Sequence, residues 1–251
     1  QDRAGNVSAV ATVDFVVDDE APAIGSVTLD GGAAFATSSV VSLELALPAG
    51  SDAKEMAVSD SAGFAGVTWE PVSSSRAVVL QPGDGARSVW VKVRDAAGNE
   101  SGAVEASITV DTTAPSVPAI VLASGATVTR NTSVGVALSA NGATKVRIST
   151  DGRFDGSSAG EAYATTFPTT VVLPSGDGRK SVWAQFADDA GNETQAVVAS
   201  ITLDTAAPTF GTGGVSIDGG ADFARSVSVA VRVDGAGASE MAIATDGTVD
   251  T

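Results

Sequence analysis

Asp95-Ala96-Ala97-Gly98-Asn99, followed a dozen residues later by Asp111-Thr112-Thr113-Ala114-Pro115, decides how this chain folds, because both strings return at a fixed interval. The first recurs as Asp188-Asp189-Ala190-Gly191-Asn192 and as Asp2-Arg3-Ala4-Gly5-Asn6, at steps of 188 − 95 = 93 and 95 − 2 = 93 residues. The second recurs, at the same step, as Asp204-Thr205-Ala206-Ala207-Pro208 and as Asp18-Asp19-Glu20-Ala21-Pro22. Trp90 and Trp183 keep the offset, as do Gly83-Asp84-Gly85 and Gly176-Asp177-Gly178. Self-similarity at a constant period is the mark of a tandem array. Read outward from these anchors, residues 1–22 are the C-terminal hairpin of one repeat, 23–115 and 116–208 are complete repeats, and 209–251 is the N-terminal half of another. Small insertions between anchors (Met56 matches Val146 at a step of 146 − 56 = 90) are what surface loops tolerate.

Inside a repeat the hydrophobic period is two. Val41, Leu43, Leu45 and Leu47 alternate with Ser42, Glu44 and Ala46; Val134, Val136 and Leu138 answer them in the next copy, and Val227, Val229, Val231 and Val233 in the one after. Val89, Val91 and Val93 match Val182, Ala184 and Phe186, while Ile108 and Val110 match Ile201 and Leu203, and Phe15 and Val17. Such alternation predicts half-buried strands. Turn clusters such as Asp30-Gly31-Gly32 and Gly83-Asp84-Gly85 separate them. About seven short strands in about 93 residues is the size of an immunoglobulin-type sandwich. The expected fold class is therefore all-β: tandem immunoglobulin-like β-sandwich repeats, without the disulfide and core Trp of antibody domains.

Composition narrows the function. Fourteen basic against 30 acidic side chains leave a net charge of −16, so no basic patch exists to hold phosphates and nucleic acid is not expected as a partner. A hydrophobic fraction of 43% argues for a folded chain despite 28 glycines. No apolar run approaches 18 residues, so no membrane-spanning helix is expected in this window. The absence of cysteine removes disulfides and thiolate metal sites, and the absence of histidine removes the usual general base. No nucleophile elbow, phosphate loop or metal-hydrolase motif is present. Gln1 falls in a repeat's last hairpin and Thr251 falls mid-repeat, so the sequence reads as a piece of a longer polypeptide whose neighbouring residues complete both ends.

The D-x-A-G-N hairpin (Asp95 to Asn99) and the D-T-T-A-P linker (Asp111 to Pro115) resemble the bacterial immunoglobulin-like (Big-type) repeats of giant adhesins and biofilm-associated surface proteins. The resemblance spans the whole window and implies an extracellular, cell-surface setting. It speaks to architecture more than to any one activity.

Two readings of the acidic residues stand side by side. In the first, Asp and Asn cap their own turns, Gly supplies positive φ, and the linker's Ala-Pro stops the last strand. In the second, they bind Ca²⁺, as the resemblance implies for repeat junctions in some large adhesins. Sandwich topology places the Asp95 and Asn99 hairpin against the preceding linker, Asp18, Asp19 and Glu20, with Asp52 joining them. It places Asp111 against Asp188, Asp189 and Asn192, with Asn141 from the loop after the second strand; the Gly83-Asp84-Gly85 turn approaches from the other side, and Asp204 repeats the role of Asp111. Calcium takes 6–8 oxygens, which such clusters offer. The first junction, with three linker acids against one, is expected to bind more tightly. Trp90 and Trp183, out of phase with the core valines, are expected on an outer sheet face, as packing residues or as a contact for a sugar or a partner chain. The sequons at Asn6, Asn99, Asn131 and Asn192 are mostly by-products of the turn motif.

The expected function is a non-enzymatic stalk or fibre segment of a secreted bacterial surface protein, an adhesin, whose partners are neighbouring repeats and, through self-association, a filament. The alternatives are a carbohydrate- or protein-binding module and a spacer of an extracellular hydrolase.

Overall fold

In the computed structural model, which describes residues 1–155 and 162–244, the alternating stretches become strands. Residues 245–251, and with them the end of the expected partial repeat 209–251, lie outside the described residues. The first complete repeat contains β1 (Ser26–Leu29), β2 (Phe35–Ala36), β3 (Val40–Ala46), β4 (Glu55–Ser59), β5 (Glu70–Pro71), β6 (Ser75–Val79), β7 (Gly85–Arg94) and β8 (Val104–Val110). The second contains β9 (Ser116–Leu122), β10 (Val128–Thr129), β11 (Ser133–Asn141), β12 (Lys145–Ser149), β13 (Thr170–Val172), β14 (Gly178–Ala187) and β15 (Val197–Leu203). A hairpin of β16 (Thr209–Ile217) and β17 (Val231–Ala236) follows. The helical assignments among the described residues are two three-residue 3₁₀ turns, Asp30–Gly32 and Ala123–Gly125. Asp30 is held at φ 45° while its carboxylate accepts the Ser42 N–H at 2.7 Å; Asp218, at φ 47°, takes the Ala230 N–H at 2.8 Å in the same way.

The chain divides into two compact units. The first holds residues 1–117 together with 140–145 and 186–195; the second holds the rest of the described chain. In the first unit a three-stranded sheet, β1-β3-β6, faces a five-stranded one, β2-β8-β7-β4-β5. The strand phase explains the core. On β3, Val41, Leu43 and Leu45 are buried and Ser42 and Glu44 only half so; on β7, Val89, Val91 and Val93 are buried and Trp90, Lys92 and Arg94 half so. The inward rows meet Met56, Ile108 and Val110 in one apolar cluster, the arrangement of an aligned sandwich. The first strand changes sheets: β1 runs antiparallel to β3, and β2 then pairs in parallel with β8, Phe35 opposite Thr109 and Ala36 opposite Val110.

The second repeat repeats this plan, with sheets β13-β11-β9 and β10-β15-β14-β12 and the same parallel pairing of β10 with β15. In the second unit Val134, Val136, Val146, Ile148, Val182, Ala184, Ile201 and Leu203 are buried. The chain is thus all-β, built from immunoglobulin-like sandwiches.

The alternating pattern also occurs where no sandwich closes over it. Phe15 and Val17 share the phase of Ile108 and Val110, yet they are 82% and 75% exposed where the latter are 3% and 1%. β8 is held by ladders to β7 and β2, and among the described residues no ladder forms on 7–17. Val227 and Val229 are likewise exposed and precede β17, which among the described residues pairs with β16 alone.

Candidate metal centre and linker contacts

The D-x-A-G-N string is a hairpin that satisfies itself. Asp95 Oδ1 accepts the N–H groups of Gly98 (2.7 Å) and Asn99 (2.9 Å), and Oδ2 accepts Asn99 Nδ2 at 2.8 Å. Asp188 holds Gly191, Asn192 and the Asn192 amide at 2.8, 2.9 and 3.0 Å, and Asp2 takes the Asn6 N–H and side-chain amide at 2.9 and 2.8 Å. Gly98 and Gly191, at φ 95° and 96°, sit where a side chain would be strained. The strand leaving each hairpin is pinned by a buried hydroxyl: Ser101 accepts the Val93 N–H and Thr194 the Phe186 N–H. Asp95 is buried, and burial alone would push its carboxyl up. The hydrogen bonds from Asn99 and the turn backbone together outweigh that and bring it below the ordinary aspartate range.

The same asparagine reaches outward. Asn99 Nδ2 donates to the Asp18 carbonyl at 3.0 Å, and Asn192 Nδ2 donates to the Asp111 carbonyl at 2.9 Å. Each hairpin therefore grips the first residue of the linker before its own repeat, at the identical atom. The amides of Asn99 and Asn192 and the buried Ser101 and Thr194 hydroxyls of the same sequons are engaged in hydrogen bonds of the fold.

At the first junction three carboxylates converge. One oxygen each from Asp18, Asp52 and Asp95 lie within 4.8 Å of one another. Ligands on opposite sides of a Ca²⁺ ion at about 2.3–2.6 Å from it stand roughly 4.6–5.2 Å apart, so the spacing suits a shared cation. Asp95 Oδ2 accepts the Asn99 amide and, as a carboxylate oxygen, has acceptor capacity left. Asp18 Oδ1 also takes the Glu20 N–H at 3.3 Å, and Glu20 lines the same groove as Pro22, Pro48 and Asp52. Asp19 and Glu20 are exposed and stand outside the three-carboxylate group.

The second junction is built differently. Gly142 stands where the first has Asp52, since Glu55 aligns with Lys145 and 52 + 90 = 142. The Asn192 amide lies between Asp111 and Asp188, 3.4 Å from Asp111 Oδ1 and 3.0 Å from Asp188 Oδ2. Asp189 accepts the Thr144 hydroxyl at 2.8 Å, and Asn141 is exposed at the end of β11. Among the described residues no three-carboxylate group forms there. Asp204, the residue after the end of β15, accepts the Ala206 N–H at 3.2 Å.

Sequence reasoning brought the Gly83-Asp84-Gly85 turn near a junction but missed its contacts. Asp84 Oδ1 accepts the Thr112 N–H and hydroxyl at 2.9 and 2.8 Å, and Oδ2 accepts the Thr113 hydroxyl at 2.5 Å. Asp177 does the same for Thr205, at 2.9 and 2.7 Å. The signal was the constant Asp-to-Thr spacing, 112 − 84 = 28 and 205 − 177 = 28.

The outer face of the β7 sheet is occupied by its own loop. Arg94 stacks on Trp69 at 4.5 Å and pairs with Glu55, while Lys92 lies 5.2 Å from the Phe64 ring. In the second repeat Arg147 lies between Phe154 and Tyr163 and bonds Gln185. Trp90 and Trp183 are half-buried, Trp183 against Gly152, where an added Cβ would stand 3.2 Å from the indole. These contacts are intramolecular packing.

No protein-family model and no curated protein sequence matches the chain. Solved structures similar to it include the fibronectin(III)-like modules of Clostridium thermocellum CbhA, at 12% identity and a TM-score of 0.45, covering 71% of this chain and 94% of that one. The FN1-FN3 domains of chicken CNTN1 match at 12% identity and 0.41, over 73% and 66%. The BSP domain of a biofilm associated protein matches at 15% identity and 0.27, over 72% of this chain and 29% of that one. At these levels the fold assignment rests on the strand pairing above.

Proposed function

We propose that this chain is a structural, non-enzymatic segment of a secreted bacterial surface protein, an adhesin stalk of tandem immunoglobulin-like repeats divided near Pro22, Pro115 and Pro208, with Ca²⁺ bound at the junction of Asp18, Asp52 and Asp95. The observation that carries the reading is the repeated grip of a hairpin asparagine on the preceding linker, which at the first junction stands beside three carboxylates within 4.8 Å. A module that repeats its neighbour contact at a fixed step is suited to extension, and its acidic surface keeps a long array soluble. The aromatic rings of the loop over β7 are taken up by its own Arg and Lys side chains, which favours support over ligand capture on that face.

Thermal unfolding of the 251-residue chain in chelator and in millimolar calcium tests the metal half of the proposal. A ligand that binds the folded state alone adds about 2.7 kcal/mol at one hundred times its Kd. Calcium is expected to raise the unfolding temperature, and Asp52→Asn to remove that rise without lowering stability in chelator, where it relieves like-charge repulsion. Identical melting curves with and without calcium would overturn calcium binding at this junction.

A further inference from the structure

We infer that Asp84 and Asp177 are linker clasps: carried on the turns before the long β7 and β14 strands, the Asp84 carboxylate locks Thr112 and Thr113 and the Asp177 carboxylate locks Thr205, just past the end of their own sandwiches, and Asp84 thereby positions the Asp111 carbonyl for Asn192. The clasp needs no metal and is separate from the carboxylate group of Asp18, Asp52 and Asp95.

The geometry is closed on every side. β8 ends at Val110, and the next N–H, that of Asp111, still donates to the Ala36 carbonyl at 2.9 Å. From there the chain leaves the sheet and would be free to pivot. Asp84 takes over at that point, with three donors from two consecutive residues on one carboxylate. Asp111 Oδ1 adds a local bond to the Thr113 N–H at 3.1 Å, so residues 111–113 are held in a single path. That path leaves the Asp111 carbonyl pointing at Asn192 Nδ2, 2.9 Å away.

The turn bearing Asp84 is itself braced. Arg87 folds back along it and donates to the carbonyls of Gln81, Pro82 and Gly83 at 3.0, 3.2 and 2.8 Å. Its guanidinium also favours the ionised form of Asp84 after the hydrogen bonds of Thr113 and Thr112, so the clasp holds a full negative charge as acceptor. The second repeat reproduces the device one period later: Asp204 N–H to the Thr129 carbonyl, Asp177 to Thr205, and Asp204 Oδ1 to the Ala206 N–H. Thr113 is replaced there by Ala206, so the second clasp has two donors instead of three.

Amide hydrogen exchange on the 251-residue chain in the presence of chelator reads the clasp directly. The Thr112 and Thr205 amides, past the last ladder bond of their sheets, are expected to be protected, and Thr112 more strongly. Asp84→Ala is expected to speed Thr112 exchange at least tenfold and to leave Thr205 unchanged, and Asp177→Ala to do the reverse. Exchange at Val91 and Val93 reports whether the sandwich itself has survived. Thr113→Val, which deletes one exposed hydroxyl and cannot open the core, is expected to speed Thr112 exchange two- to threefold. Exchange at Thr112 at the unprotected rate in the wild-type chain, protection that disappears on chelation, or protection untouched by both substitutions would each overturn the inference. A loss of calcium response with Thr112 still protected would overturn the metal site and leave the clasp standing.

Discussion

Asn192→Asp is the substitution that asks most of the junction. The side chain keeps its shape, but a two-donor amide becomes a carboxylate. Asn192 Nδ2 donates to the Asp111 carbonyl at 2.9 Å and to Asp188 Oδ2 at 3.0 Å, so one neutral bond and one charge-assisted bond are lost. Loss of the two is worth about 2–4 kcal/mol, and Asn192→Ala should show that much. The aspartate adds repulsion. Two unit charges 3.0 Å apart cost about 1.4 kcal/mol at a dielectric of 80 and about 5.5 kcal/mol at 20. Asp188 is 7% exposed, which favours the upper part of that span. Native-state exchange at the Thr194 amide, which closes the hairpin onto the Phe186 carbonyl at 2.9 Å, is the assay. Asn192→Ala should accelerate it roughly thirty- to several-hundredfold, since about 1.4 kcal/mol is a factor of ten. Asn192→Asp should accelerate it further at neutral pH and low salt, and the excess should shrink in acid or at high ionic strength. Equal effects of Ala and Asp, or none from either, would refute the view that this amide bridges the Asp111 carbonyl and the Asp188 carboxylate.

Leu43→Ala removes a fully buried side chain from the middle of β3 and should cost about 2–5 kcal/mol in denaturant unfolding of the first sandwich. Gly152→Ala forces a Cβ to within 3.2 Å of the Trp183 indole at a φ of 81°; a loss of about 1–2 kcal/mol with altered Trp183 fluorescence is expected. Asp2, Asp84, Asp95 and Asp177 are held below the ordinary aspartate value of 3.8: Asp2 first by its side-chain bond from Asn6, Asp84 and Asp177 first by threonine hydroxyls, and Asp95 by bonds that outweigh its burial. The unfolded chain binds these protons first as pH falls. The stabilisation is therefore complete above that ordinary value and lost below it, as pH drops through the folded-state values, with a flat profile between neutrality and pH 5. Stability that instead rose on acidification below 3.8 would contradict these hydrogen bonds.

The period-two rows and the 93-residue step made the sandwiches legible, because strand phase sets which face is buried. Phase does not name a partner strand, and so Phe15, Val17, Val227 and Val229 carried the right pattern without the burial. The hairpin could be placed against the preceding linker from topology alone, and Asn99 and Asn192 do stand there. Which atoms they grip was not legible, since a carbonyl leaves no mark in the sequence. The carboxylate group at the first junction depended on Asp52, and its replacement by Gly142 emerges once the three-residue loop difference is allowed for. The cover over the β7 sheet was hidden because the loops bearing Phe64, Trp69, Phe154 and Tyr163 differ in length and sequence between repeats. Asp84 and Asp177 were visible only as turn residues, although their 28-residue spacing to a threonine recurs.

Amide chemical-shift mapping during a calcium titration of the 251-residue chain tests the proposed role at its centre. The account predicts saturable changes at Asp18, Asp52 and Asp95 and their neighbours, abolished by Asp52→Asn, with weaker or no change at Asp111 and Asp188. Spectra unaltered at millimolar calcium, or changes centred away from the first junction, would contradict it.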